Sequence, residues 1–274
     1  MESNPDQPDE VTRAALAAVA EASQIASGSD AAQAALTGRI VPGAGRATGI
    51  RRLGAAIGQS ARRGAKVTGR NLGAGSRWLS GRVLAMAPRL PVRDQPTLRA
   101  QMPVRTPDEL ADALIEGASR ATAAVGAAVG AWAVLPFVPA IGAEIATETL
   151  AVVGIEIKLV AELHEVYGMR APGNLVERMT AYVGGWARRR GVSLAPGGLA
   201  VAAGSPLARL LQRRLAARAG RSVFSLGPLL TGAVAGGYVN RRETRKLGRA
   251  VADDLRQRSP HPDRWPEEVT RRPG

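Results

Sequence analysis

The chain has 274 residues, 45% of them hydrophobic, enough to bury a sizeable core, and no cysteine, which excludes disulfide frameworks and cysteine-ligated zinc or iron-sulfur sites. A formal charge of +14 with an isoelectric point near 11.4 calls for an anionic partner, whether lipid headgroup or nucleic acid. The charge falls in blocks: −5 over residues 1–38, +13 over 39–105, −6 over 106–170 and +12 over 171–274.

Lys66, Lys158 and Lys246 are the only lysines, and Ala and Gly are abundant. A GC-rich genome produces that bias unaided, so the blocks, not the choice of arginine, carry the information. The start, MESNPDQPDE, is acidic and has no basic region leading into an apolar one, so no cleavable signal peptide is expected and the N-terminus is read as cytoplasmic. Residues 1–40 form an acidic, Ala-rich segment, disordered over 1–9 and then helical, with a break at Ser27-Gly28-Ser29-Asp30. Its apolar face is weak.

Residues 41–105 read as a flexible, Arg/Gly-rich basic linker. Within it Ile50, Leu53 and Ile57 recur at helical spacing, as do Leu79, Val83 and Met86, flanked by Arg51, Arg52, Arg62, Arg63, Arg77, Arg82 and Trp78. Basic amphipathic helices of this kind lie on anionic membrane surfaces. The same arginines would serve a nucleic-acid-binding arm through phosphate contacts, and a solvated linker is the plain alternative.

The helical domain is expected over residues 106–258. Thr106-Pro107-Asp108-Glu109 is a capping box, with Pro at the first helical position and acids against the positive end of the helix dipole. It opens a helix over 107–135 whose Leu110, Leu114, Gly117, Ala121, Ala124, Ala128 and Ala131 form one stripe, with Gly126 and Gly130 allowing close helix approach. Residues 121–143, ATAAVGAAVGAWAVLPFVPAIGA, carry no charge. That is about the ~20 residues a bilayer crossing needs. Pro136 and Pro139 make it instead the end of a helix plus the bend of a hairpin, with Trp132, Leu135, Phe137 and Val138 as membrane-inserting candidates.

A second helix follows over 142–167, closed by Gly168. Its Glu144 and Glu148, one turn apart beside the apolar tip, are read first as solvated carboxylates marking where the helix re-enters water, with a buried polar pair as the alternative. A helix over 172–190 ends in three arginines, and a charge-free run covers 191–208. Leu207, Leu210, Leu211 and Leu215 against Arg209, Arg213, Arg214 and Arg218 make a basic amphipathic helix. A third charge-free run, 222–240, has Gly232 and Gly236 at small-residue spacing; Asn240 and Glu243 then suggest another capping box, opening a last helix that runs to about residue 256. A disordered tail is expected over 259–274. The fold class is all-α, a helical bundle built from Ala/Gly-rich apolar hairpins.

The order of LPFVPAIG, a helix ending in EVYG, a basic amphipathic helix and GPLLTGAVAGGYVNRRETRKLGRAVADD resembles the EcsC family, bacterial proteins named after a member encoded beside an ABC transporter. The resemblance covers about residues 107–256 and is best at Gly232, Gly236, Asn240, Thr244, Gly248 and Ala250. It implies an all-helical, membrane-associated protein without an established activity, and supplies no catalytic residues.

No catalytic signature is present. The two histidines, His164 and His261, do not cluster with carboxylates: Glu162-Leu163-His164-Glu165 is neither HExxH nor a di-iron pairing. There is no GxSxG, and VPGAGRATG lacks a P-loop lysine. No cofactor or metal is expected. The leading expectation is a non-enzymatic protein on the cytoplasmic face of the membrane, binding anionic lipid through its Arg-rich segments and inserting apolar hairpins, with a membrane-protein partner such as a transporter in view. A soluble helical domain with a nucleic-acid-binding arm is the alternative, although aromatic residues are only 3% of the chain, too few for stacking platforms. A carrier of a hydrophobic small molecule is a third reading.

Overall fold

The computed structural model describes residues 10–27, 81–102, 104, 106–132, 141–190 and 231–265. Among these residues the protein is all-α, as the sequence predicts. Helix α1 spans Glu10–Ser27, a short helical stretch over 81–86 leads into a 3-10 turn at Ala87–Arg89, and α2 spans Gln95–Gln101. Three long helices follow, α3 over Pro107–Trp132, α4 over Ile141–Val166 and α6 over Thr231–Arg258, with the shorter α5 over Leu175–Arg189 between the last two.

Local chemistry sets most of these limits. At the start of α3, Glu109 N donates to Thr106 Oγ1 at 3.2 Å and Thr106 N to Glu109 Oε2 at 3.3 Å, the reciprocal capping box the sequence predicts. Helix α4 closes with Gly168 at φ 64, where Met169 N reaches His164 O at 2.8 Å and Gly168 N reaches Glu165 O at 3.2 Å. This double closure satisfies the last carbonyls and needs the left-handed backbone that glycine supplies. Helix α5 starts three residues later than the expected 172, because Asn174 caps it in a second box with Glu177. In α2, Asp94 accepts from Thr97 N at 3.1 Å.

The last helix differs from expectation. It runs without interruption from Thr231 to Arg258, so Asn240 is in mid-helix and is not a cap. The helix continues because its glycines are used for contact. A Cβ on Gly237 would lie 3.0 Å from Ala123 O, and one on Gly248 would lie 2.8 Å from Ile115 Cγ1, so α6 approaches α3 backbone to backbone. Asn240 Nδ2 turns instead to the Thr122 carbonyl at 3.4 Å.

Helix α4 is the axis of the bundle. It is apolar nearly all round, and residues 150–163 are all buried, the pattern of a helix surrounded by others. Helices α1, α3, α5 and α6 pack on it, and α3 and α6 pack along each other. The Ala-rich α1, whose apolar face looked weak, is firmly docked: Ala15, Ala18, Val19 and Ala22 are 0% exposed. Its small side chains let it approach closely, Val19 Cγ2 lying 2.9 Å from where a Cβ on Gly154 would stand.

The end of the expected basic linker is also part of this body. Val83 and Met86 are 0% exposed and Met86 Cε faces Gly154, so the apolar face of residues 81–86 is satisfied by protein and does not lie on a membrane surface. Trp265, placed in the disordered tail by its Pro-rich setting, is 3% exposed and carries the Arg99 guanidinium 4.4 Å above its ring.

The α3–α6 contact at Gly248 leaves no room for a side chain. Gly248→Val is expected to lower stability by about 1–3 kcal/mol, read as a lower urea midpoint at unchanged slope; an unchanged midpoint would mean the two helices part freely there.

Candidate functional site

Helices α3 and α6 run antiparallel: Ala123 lies by Gly237, Ile115 by Gly248, and Asp108 pairs with Arg256 at 3.1 Å. Helix α4 also opposes α3, since Tyr167 Oη at its C-terminal end donates to Asp108 Oδ1 at 2.8 Å. The C-terminal half of α3 and the N-terminal halves of α4 and α6 therefore share one end of the bundle. In sequence the α3 and α6 parts are charge-free, over residues 121–132 and 231–240, whereas α4 is charge-free only over 141–143, before Glu144 and Glu148. The C-terminal end of α4, by contrast, lies against Asp108 and the start of α3.

Buried charge is concentrated below that end, on α4. Glu156, 0% exposed, accepts from Trp186 Nε1 at 2.8 Å and Thr244 Oγ1 at 3.1 Å, and is paired with Arg190. Thr244 in turn accepts from Thr122 Oγ1 at 3.0 Å. Arg190 also reaches Glu243 Oε2 at 3.3 Å, so this one node joins α3, α4, α5 and α6. A buried carboxylate is tolerated only when so paired and bonded.

A second node lies six residues on. Arg93 grips Glu162 with Nε at 2.8 Å and Nη2 at 2.9 Å, its backbone N adds 3.2 Å, and Lys158 pairs with the same carboxylate. Burial alone would raise the Glu162 carboxyl, but the Arg93 fork and Lys158 outweigh it and hold it below its ordinary value. Burial pushes Lys158 down, and Arg93, which shares the Glu162 carboxylate with it, adds to that. The pair thus favours the carboxylate more than the ammonium, because one anion serves two cations.

Cations gather around the outside at the same level as Glu156. Glu116 on α3 accepts from Arg120 Nε at 3.0 Å and Arg241 Nη2 at 2.6 Å, and also from Arg245. Burial opposes its charge, yet hydrogen bonds from Arg245 and Arg120 leave the carboxyl below its ordinary value. Arg242 and Lys246 are exposed beside them, and Tyr238, one turn nearer the charge-free end, is 67% exposed. At the other end a small cleft of about 110 Å³ is lined by Asp108, Asp112, Tyr167, Arg249, Asp253 and Arg256. Burial and the neighbouring Asp108 raise the Tyr167 phenol well above its usual range. The phenol therefore stays a donor and is no base.

Of the residues singled out from the sequence, Glu148 is not solvated but buried, at 4% exposure, toward the N-terminal end of α4. Glu144 is in the first turns of α4 and Trp132 ends α3, but their side chains, together with Leu135, Phe137, Val138, Arg51, Arg52, Arg62, Arg63, Arg77, Arg209, Arg213 and Arg214, lie outside the described residues. Arg82 is partly exposed on the segment that docks Val83 and Met86. His164 Nδ1 contacts the Val160 carbonyl at 2.7 Å, and its ring lies tilted by 50° to that of Tyr182, with centroids 4.9 Å apart. Among the described residues no cluster of His, Cys, Asp or Glu could hold a metal ion, and no helix is long and apolar enough to cross a membrane. The collar around Glu116 was not anticipated; the Glu116-Arg120 spacing of four was its one local signal. No protein-family model, curated protein or solved structure matches the chain.

The depressed Glu162 carboxyl has a consequence for stability. A group whose folded value lies below its unfolded one, here near 4.5, stabilises above that value and loses the contribution as pH falls through the folded value. Unfolding measured from about pH 5 to about pH 3 should therefore show a loss of stability that Glu162→Gln reduces. Equal acid sensitivity in the two proteins would contradict the pairing.

Proposed function

We propose that the protein is a non-enzymatic, membrane-associated helical protein that docks on the cytoplasmic face of the membrane by the charge-free end of its bundle, as an accessory to lipid or to a membrane-protein partner. The observation that carries this reading is the gathering of residues 121–132, 141–143 and 231–240 at one end, with the arginines set back from it. Association and not crossing is proposed, in keeping with the lengths and apolarity of the described helices.

The blockwise charge supports the same side of the membrane, since basic segments stay with the cytoplasm. The order of elements over residues 107–256, which resembles the EcsC family, supports the class. No residue of the buried nodes is placed to act on a substrate: Glu156 and Glu162 are both fully occupied with partners from neighbouring elements.

Flotation with liposomes tests the proposal. The full chain is expected to float with vesicles of phosphatidylcholine and phosphatidylglycerol at low salt and to be released only in part by alkaline carbonate. Protein left at the bottom of the gradient with every vesicle composition would contradict it. Steeply salt-dependent DNA binding without flotation would favour the arginine-arm alternative.

A further inference from the structure

We propose that Arg120, Arg241, Arg242, Arg245 and Lys246, with Tyr238 on their charge-free side, form a collar that binds the phosphates of anionic lipids and sets the depth of docking at one leaflet. The inference rests on the membrane reading above and adds to it a site, a ligand class and an orientation.

The charge arithmetic is local. Glu116 is a single carboxylate against three guanidiniums, from Arg120, Arg241 and Arg245, which leaves the cluster cationic. Arg241 and Arg245 each have five N–H donors and Glu116 offers only two oxygens, so donors remain for phosphate oxygens. Arg242 and Lys246 are exposed and make no ion pair among the described residues. On α6, Tyr238, Arg242 and Arg245 are spaced by four and three, so they lie on one face. Tyr238 is 67% exposed, an aromatic with an apolar body and a polar tip, the residue type that settles at headgroup level.

Distance supports the depth. From Arg120 to the end of α3 at Trp132 is twelve residues, and from Arg241 back to the start of α6 at Thr231 is ten. At a rise of ~1.5 Å per residue these are about 18 Å and 15 Å. Half of a ~30 Å hydrocarbon core is one leaflet. Cations placed there meet phosphate when the charge-free ends of α3 and α6 have entered one leaflet, with Glu148 of α4 shielded inside the bundle. Over this stretch Ala121, Ala124 and Val125 of α3 face inward and are buried, so the bundle enters as a packed unit.

The opposite end is of mixed sign. Asp108, Asp112, Asp253 and Asp263 lie there beside Arg249 and Arg256, the latter paired with Asp108 and Asp263, so it draws an anionic leaflet less than the collar does. A nucleic acid would use the cations alone, leaving the adjoining charge-free helix ends and Tyr238 without a role, so the observations favour lipid.

The full chain has no cysteine, so single probes are simple to place. Tyr238→Cys and Gln257→Cys, each labelled with a polarity-sensitive dye, are titrated with vesicles of phosphatidylcholine, alone and with phosphatidylglycerol, in the wild-type background and with Arg242→Gln and Lys246→Gln combined. These two side chains make no ion pair among the described residues, so melting should be unchanged, and each single variant is measured beside the pair. The expected result is tighter binding to the anionic vesicles, a blue shift at position 238 only, and about thirtyfold weaker binding by the double variant, about fivefold by each single one. Binding by the double variant equal to that of wild type overturns the collar and leaves the membrane reading standing. Equal blue shifts at 238 and 257 overturn the orientation. Wild-type protein that binds no vesicle removes both, and loss of duplex-DNA binding in the double variant without any vesicle binding reassigns the cations to nucleic acid.

Discussion

The bundle depends on a carboxylate that has no access to water. Glu156 sits in the most enclosed helix of the protein, and burying a lone charge there would cost several kcal/mol. The chain meets that cost with donors from two other helices and the residue closing one of them: Trp186 and Arg190 at the end of α5, and Thr244 in α6, itself backed by Thr122 of α3. Apolar contacts on α4 would tolerate rotation of the neighbouring helices by a fraction of a turn. Four directional bonds do not.

The second node extends the same logic. Glu162 fixes residue 93 and the turn before α2 against α4, and Arg189 with Asp254 at 2.7 Å joins α5 to α6 from outside. Between these ties the glycines of α6 bring it against α3, where a side chain would hold it off. Among the described residues most of the ionic contacts thus lie from the Glu156 level toward Asp108, and the charge-free ends of α3 and α6 project beyond them. The functional reading follows from that asymmetry, since the same framework that orders the helices also sorts charge along them.

Much of the framework is legible in the sequence because its signals are local. Thr106 with Glu109 and Gly168 each act within a few residues, and each helix limit they predict lies within a residue or two of the observed one. Where partners come from far along the chain, the sequence misleads. Asn240 with Glu243 has the spacing of a capping box, yet the preceding glycines are held helical by α3, and Glu243 turns to Arg190. Val83 and Met86 look like a membrane face because the α1–α4 surface that covers them is remote in sequence. Alanines in α1 look too weak to dock, whereas their small size is what allows close approach.

The site was less legible than the fold. The basic character of residues 241–249 is plain, but that three arginines converge on Glu116 while Arg242 and Lys246 stay outside depends on how α6 is rotated against α3. Thr244 and Gly248, two of the residues on which the resemblance rests, are a donor to Glu156 and a position where a Cβ would meet the Ile115 side chain. Their importance is visible in sequence only as a pattern, and becomes physical in the packing. The central claim is that the Glu156 node locks this arrangement. A double-mutant cycle on Glu156→Gln and Arg190→Gln, read by urea unfolding of the full chain, tests it most directly. Coupling of about 1–3 kcal/mol between the two sites is expected, and effects that simply add, within about 0.5 kcal/mol, would contradict it.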